Sequence, residues 1–268
     1  MIKSAKKMFY PAALAAGVLL SSSAMAFEDF QITESSVPGA AVNTFTADRI
    51  VGGYQEIVTF GAGTFDVSIL WTAGQFFDDG TGIASQVGGF GPNTYDMYGL
   101  FQASGTFVSN GAGGSLFSFN SGGTLDLLID ADKDNAYTAP LTGDLAWTAT
   151  GNTADDILLA TGEVLSGAGV LDPTLSTCGP GVNCGSFGTN TDFNLTDAGK
   201  DFFTAPVPFY NVSFQSGQFD QFNVSGTQSI VGSLDAVFNV PEPSALALFG
   251  LGLLGMGGVA RRKAKATA

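Results

Sequence analysis

The densest cluster of groups able to do chemistry is Asp130-Ala131-Asp132-Lys133-Asp134-Asn135. Aspartates at alternate positions of a turn can wrap three oxygens around a hard cation, as calcium loops begin. The run departs from a full calcium loop at two places. Asn135 stands where glycine is expected, although asparagine tolerates that backbone geometry. Leu141 stands where a bidentate glutamate would complete the shell. Asp130, Asp132 and Asp134 are thus candidate calcium ligands that need further oxygens from elsewhere. The alternative is a solvated acidic turn after a strand at 125–129. Three acidic pairs, Glu28-Asp29, Asp78-Asp79 and Asp155-Asp156, could run glycoside hydrolysis if two carboxyls faced each other at the right separation. Nothing in the spacing fixes that separation. The chain has no histidine, which removes Ser-His-Asp and Cys-His catalysis, His-ligated zinc or copper, and a histidine acid or base. Its two cysteines, Cys178 and Cys184, close a short Gly/Pro-rich loop, Cys-Gly-Pro-Gly-Val-Asn-Cys. A disulfide is expected on an oxidising route, with a metal or redox pair as the alternative.

The elements that must position these groups read as strands. Phe65, Val67, Ile69 and Trp71 alternate with Asp66, Ser68 and Leu70. The same period runs through Phe101 to Phe107, Tyr210 to Phe214 and Ile230 to Phe238. Turn formers separate the runs: Gly61-Ala62-Gly63, Asp79-Gly80, Asn110-Gly111, Ser121-Gly122-Gly123 and Ser216-Gly217. One short helix is expected over 196–203, capped by Thr196 or Asp197. The stretch 76–92 has no clear period and reads as a long loop. Aromatic residues at period two with frequent glycine turns predict an all-β fold, an antiparallel β-sandwich, jelly-roll-like or similar.

Both ends of the chain carry export signals. Lys3, Lys6 and Lys7 precede an apolar run over 9–20, and Ala24-Met25-Ala26 supplies the small residues signal peptidase needs. Residues 1–26 therefore read as a signal peptide cleaved after Ala26, with an uncleaved N-terminal anchor as the alternative. At the other end Val240, Pro241, Glu242 and Pro243 form a stiff stem, because proline cannot sit in a helix interior. Residues 244–260 carry no charge, and as a helix would span about 25 Å, at the short end of a bilayer crossing. Arg261, Arg262 and Lys263 open a basic stop over 261–265 that holds the C-terminus on the cytoplasmic side.

This stem, span and basic stop over 240–265 resemble the PEP-CTERM sorting tail. The resemblance implies a Gram-negative exporter of extracellular polysaccharide. It also implies transient insertion in the inner membrane and release by the membrane protease exosortase. Two interior segments narrow the likeness. One is Asp48-Arg49-Ile50-Val51-Gly52-Gly53-Tyr54 through Asp66-Val67. The other starts at Asp172-Pro173-Thr174-Leu175, passes Cys184-Gly185-Ser186-Phe187 and ends in Phe209-Tyr210-Asn211-Val212-Ser213-Phe214-Gln215-Ser216-Gly217. Together they resemble the flocculation-associated PEP-CTERM group, which implies a non-catalytic role in holding cells together through matrix exopolysaccharide.

Removing both signals leaves residues 27–239 as one secreted domain. It keeps only Arg49, Lys133 and Lys200 against 23 acids, a net charge of −20. Such a surface repels nucleic acid and favours divalent cations or cationic partners. The expectation is a surface or matrix protein that promotes flocculation. A calcium-dependent carbohydrate-binding module and a secreted glycoside hydrolase are the rival readings.

Overall fold

A computed structural model describes residues 27–179, 183–218 and 222–239. The expected signal peptide and sorting tail lie outside the described residues. The chain opens with β1 (Phe30–Thr33), a 3-10 turn (Glu34–Ser36) and β2 (Thr44–Ala47). A long hairpin follows, β3 (Arg49–Phe60) and β4 (Thr64–Asp78), with the short β5 (Thr81–Gly82) turning back on it. Next come β6 (Asp96–Ser109), β7 (Ser115–Phe119) and β8 (Gly122–Asp130), then the small hairpin of β9 (Ala136–Thr138) and β10 (Thr148–Thr150). The second half holds β11 (Ile157–Leu171), β12 (Gly185–Thr191), β13 (Asn194–Leu195), helix α1 (Asp197–Phe202), β14 (Phe203–Ala205), β15 (Asn211–Gln218) and β16 (Gly226–Asn239).

The pairing of these strands closes on itself. β3 pairs β4, β4 pairs β6, β6 pairs β8, β8 pairs β11, and β11, β12, β15 and β16 follow in order. Finally β16 pairs β3 over twelve residue pairs, from Gly226↔Phe60 to Val237↔Arg49. β7 and β8 act as one interrupted stave: β7 lies along the end of β6 (Gly105↔Phe119) and β8 along its start (Phe101↔Leu125). The break falls at Gly122 and Gly123, whose φ values of 99° and 87° suit glycine. Among the described residues the result is an eight-stave antiparallel barrel in chain order. The all-β antiparallel class stands as expected. The two faces of the anticipated sandwich are opposite walls of one ring, and closure leaves no open edge.

Aromatic side chains fill the ring. Trp71, Phe65, Phe101, Phe117 and Phe214 point inward and are buried. Two inward glycines make room for rings. A Cβ on Gly52 would lie 2.4 Å from the Trp71 indole nitrogen, and one on Gly105 would lie 2.4 Å from the Phe65 ring. The indole N–H donates to the Leu234 carbonyl at 3.0 Å, across the lumen wall.

One end of the barrel is plugged. The three-stranded sheet β14-β1-β2 and α1 sit where β3 begins and β16 ends. There Phe30 meets Phe238 at 4.7 Å between centroids, Phe203 meets Phe202 and Phe209 at 5.0 Å, and Phe193 meets Phe238 at 5.4 Å. Such tilted and edge-on pairs favour the ring quadrupoles. The expected helix is present as α1, with Thr196 Oγ1 accepting from the Gly199 N–H at 3.0 Å.

Two sequence expectations change. Residues 76–78 belong to β4 and not to a loop, and Phe76 is wholly buried in the plug. The connection after β5 is pinned by buried Glu34, whose carboxylate accepts from the Tyr95 hydroxyl at 2.9 Å and the Gln86 N–H at 2.7 Å. The outward residues Ser68 and Leu70 are also buried, because the excursion 131–156 lies over them. Trp147 closes that outer layer, packing with Ile57, Leu70 and Tyr98 and donating its N–H to the Ser68 carbonyl at 3.1 Å.

Candidate functional site

The Asp130 cluster folds as a structural turn. Asp130 is buried at the end of β8; its Oδ1 accepts the Lys133 N–H at 2.7 Å and its Oδ2 accepts the Asn135 N–H at 3.0 Å. The left-handed residue is Lys133, with φ 59°, and not Asn135. Asn135 instead donates its side-chain amide to Asp156 at 2.8 and 3.1 Å, and the Tyr98 hydroxyl donates to the same carboxylate at 2.7 Å. Asp132 turns toward Asp155. The charge of Asp155 and a hydrogen bond with it raise the Asp132 pKa, with Asp134 adding only a weaker charge effect. Asp130, Asp132 and Asp134 therefore do not converge on one donor set. Among the described residues no group of three or more acidic or cysteine side chains is placed to hold a metal ion.

The acidic pairs go separate ways too. Asp156 is held in the network just described, and Asp79 sits in the turn before β5 with its N–H donating to Asp48 at 2.9 Å. Cys178 and Cys184 form the expected disulfide, both buried in the β11–β12 loop. Ala24, Ala26, the stem Val240 to Pro243 and the basic stop Arg261 to Lys263 lie outside the described residues.

Two surfaces stand out among the described residues. The first is the outer wall of β11, β12, β15 and β16, which the 131–156 excursion leaves bare. Here Ser166, Ser186, Asn190, Ser213, Gln215 and Asp235 line a shallow groove of about 930 Å³. Partial burial raises the Asp235 pKa, with Arg49 acting against it. Hydroxyls, amides and one carboxyl along this groove can hydrogen-bond a polar chain laid in it.

The second lies inside. Along β3, Tyr54, Glu56, Val58 and Phe60 occupy the inner register. Glu56 projects into a cavity of about 40 Å³ with Phe60, Phe65, Phe117, Phe119, Phe187 and Phe222 around it. Among the described residues no hydrogen bond or ion pair reaches its carboxyl. Burial alone pushes its pKa from 4.5 up to about 8, because an ion cannot be solvated by phenylalanine rings. Strand period could have found it: a glutamate between Tyr54 and Val58 breaks an otherwise apolar inner row.

Comparison with known families places the PEP-CTERM protein-sorting motif at residues 239–263. Comparison with curated proteins and with solved structures returns no match. The fold and the motif together define an exported β-barrel protein. The chain carries a PEP-CTERM sorting signal, which addresses it to exosortase and to the cell surface through the membrane.

Proposed function

We propose that the protein is a non-catalytic component of the cell surface or extracellular matrix of a Gram-negative bacterium, and that it promotes flocculation together with exopolysaccharide. The observation that carries this reading is the junction at Asn239. The barrel's closing strand runs to Asn239, the last of the described residues and the first of the sorting motif, and it is paired with β3 and β15 before the motif starts. Exosortase cleavage in the stem would then release or hand over a finished barrel without opening it.

The bare groove on β11, β12, β15 and β16 supports a role in holding a polar polymer. The charge of −20 on residues 27–239 supports bridging by divalent cations, which lower repulsion between neighbouring molecules. The likeness of segments 48–67 and 172–217 to the flocculation-associated group points the same way. A non-catalytic role is favoured by the Asp156 carboxyl, which is held by Tyr98 and Asn135 in a network that stiffens a turn.

The test is deletion of the gene. Flocs should disperse while polysaccharide continues to be made and secreted. A deletion strain that accumulates an undegraded polymer would favour a hydrolase instead, and one that flocculates normally would end the proposal.

A further inference from the structure

Among the described residues, one carboxyl, that of Glu56, faces an aromatic shell inside the barrel. We propose that this cavity binds a small alkylammonium group, with Glu56 as its counter-ion and the surrounding phenylalanine faces as its walls. The shape and chemistry of the lining select that class. A carboxyl without a hydrogen-bonding partner in an apolar space gains most from a cation that brings its own N–H donors. Phe60, Phe65, Phe117, Phe119, Phe187 and Phe222 offer ring faces and edges to the methyl or methylene groups beside that charge.

Other ligands fit less well. Calcium needs six to eight oxygens, and the lining supplies only the two of Glu56. An anion would meet the same carboxylate. A sugar ring would leave its hydroxyls unpaired against phenylalanine. The acidic exterior adds a long-range contribution, since a charge of −20 concentrates small cations around the barrel.

Among the described residues no second ionisable side chain lines the cavity. From β4, β7, β12 and β16 the residues facing Glu56 are Phe65, Phe117, Phe119, Phe187 and Ile230. On the inner row of β3 the other ionisable side chain is Tyr54, which stands edge-on to Phe187 at 5.9 Å. Well below pH 8, binding an ammonium ion must therefore take the proton off Glu56 itself, approaching one released per ligand bound.

The experiment titrates the purified exported protein with ethylammonium chloride at fixed ionic strength. Ethanol serves as a neutral isostere and sodium chloride as a screening control. NMR follows the methyl groups of Val58 and Ile230. Ethylammonium should shift them saturably at pH 8.5 and bind more than tenfold more weakly at pH 6.5, where Glu56 keeps its proton. Glu56→Gln, which preserves shape, should weaken binding at pH 8.5 at least tenfold. The proposal is overturned if ethanol or sodium shifts the same methyls equally. It is also overturned if affinity is independent of pH, or if no saturable shift occurs. These readouts need only the wild type, so they decide the matter even if the variant fails to fold.

Discussion

A carboxyl among phenylalanine rings makes stability depend on pH in a definite direction. Glu56 titrates near 8 in the folded barrel and near 4.5 when unfolded. Below about pH 4.5 both states hold the proton and nothing is lost. Between there and about pH 8 the unfolded chain gives up the proton and the barrel does not. Stability therefore falls by about 1.4 kcal/mol per unit and levels off above, a total on the order of a few kcal/mol. Glu56→Gln should remove that slope, so its denaturation midpoint should exceed the wild type's at pH 8.5 and match it near pH 4. Equal midpoints at both pH values would place the carboxyl in water. The Asp130 turn gives a second contrast. Asp130→Ala strands two part-buried N–H groups and should cost about 1 kcal/mol per lost bond, whereas Asp132→Ala relieves repulsion from Asp155 and should leave the midpoint unchanged or higher. Comparable losses in both variants, reversed by added calcium, would restore the loop as a cation site.

At the scale of elements, the outer layer over β3, β4 and β6 hangs on one side chain. Trp147→Ala would uncover Ile57 and Leu70 and free the Ser68 carbonyl. A cost of about 3–5 kcal/mol is expected by chemical denaturation; a change below 1 kcal/mol would mean that the excursion 131–156 does not cover the wall. Reducing Cys178–Cys184 should cost only about 2 kcal/mol, because the loop it closes is short, and far-ultraviolet dichroism should keep its strand signal. Period two made the strands legible in sequence, since each stave buries one face in the lumen: Val67, Ile69 and Trp71 were readable, as were Leu234 and Phe238. Thr196 announced α1 through its capping hydroxyl. Ring closure was not legible, because the pairing of β16 with β3 joins residues nearly two hundred positions apart and leaves no local pattern. For the same reason Ser68 and Leu70 read as outward-facing when Trp147, far along the chain, covers them. The alternate aspartates suggested calcium because sequence shows their spacing and hides that Asp130 already serves two backbone donors.

At the scale of the whole molecule, the barrel's first and last staves begin and end side by side. Arg49 pairs with Val237, next to the aromatic plug, while the Glu56 cavity lies toward the other end with Phe60 and Phe65. The sorting motif thus begins at Asn239, at the plugged end. This geometry separates two truncations. A chain ending at Asn239 keeps every pair of β16 with β3 and β15 and should fold with the wild-type midpoint, appearing in the medium. A chain ending at Ser225 loses β16, exposes the edges of β3 and β15, and should aggregate or be degraded. The proposed processing event lies just beyond both, in the stem at 240–243. Replacing Pro241, Glu242 and Pro243 by alanine should leave a folded barrel in the membrane fraction. Mass spectrometry of wild-type extracellular protein should find no peptide from Ala245 onward. Secreted material with an intact C-terminus at Ala268 would show that the tail is not a processing signal, and the junction at Asn239 would then lose its meaning as the seam between barrel and address.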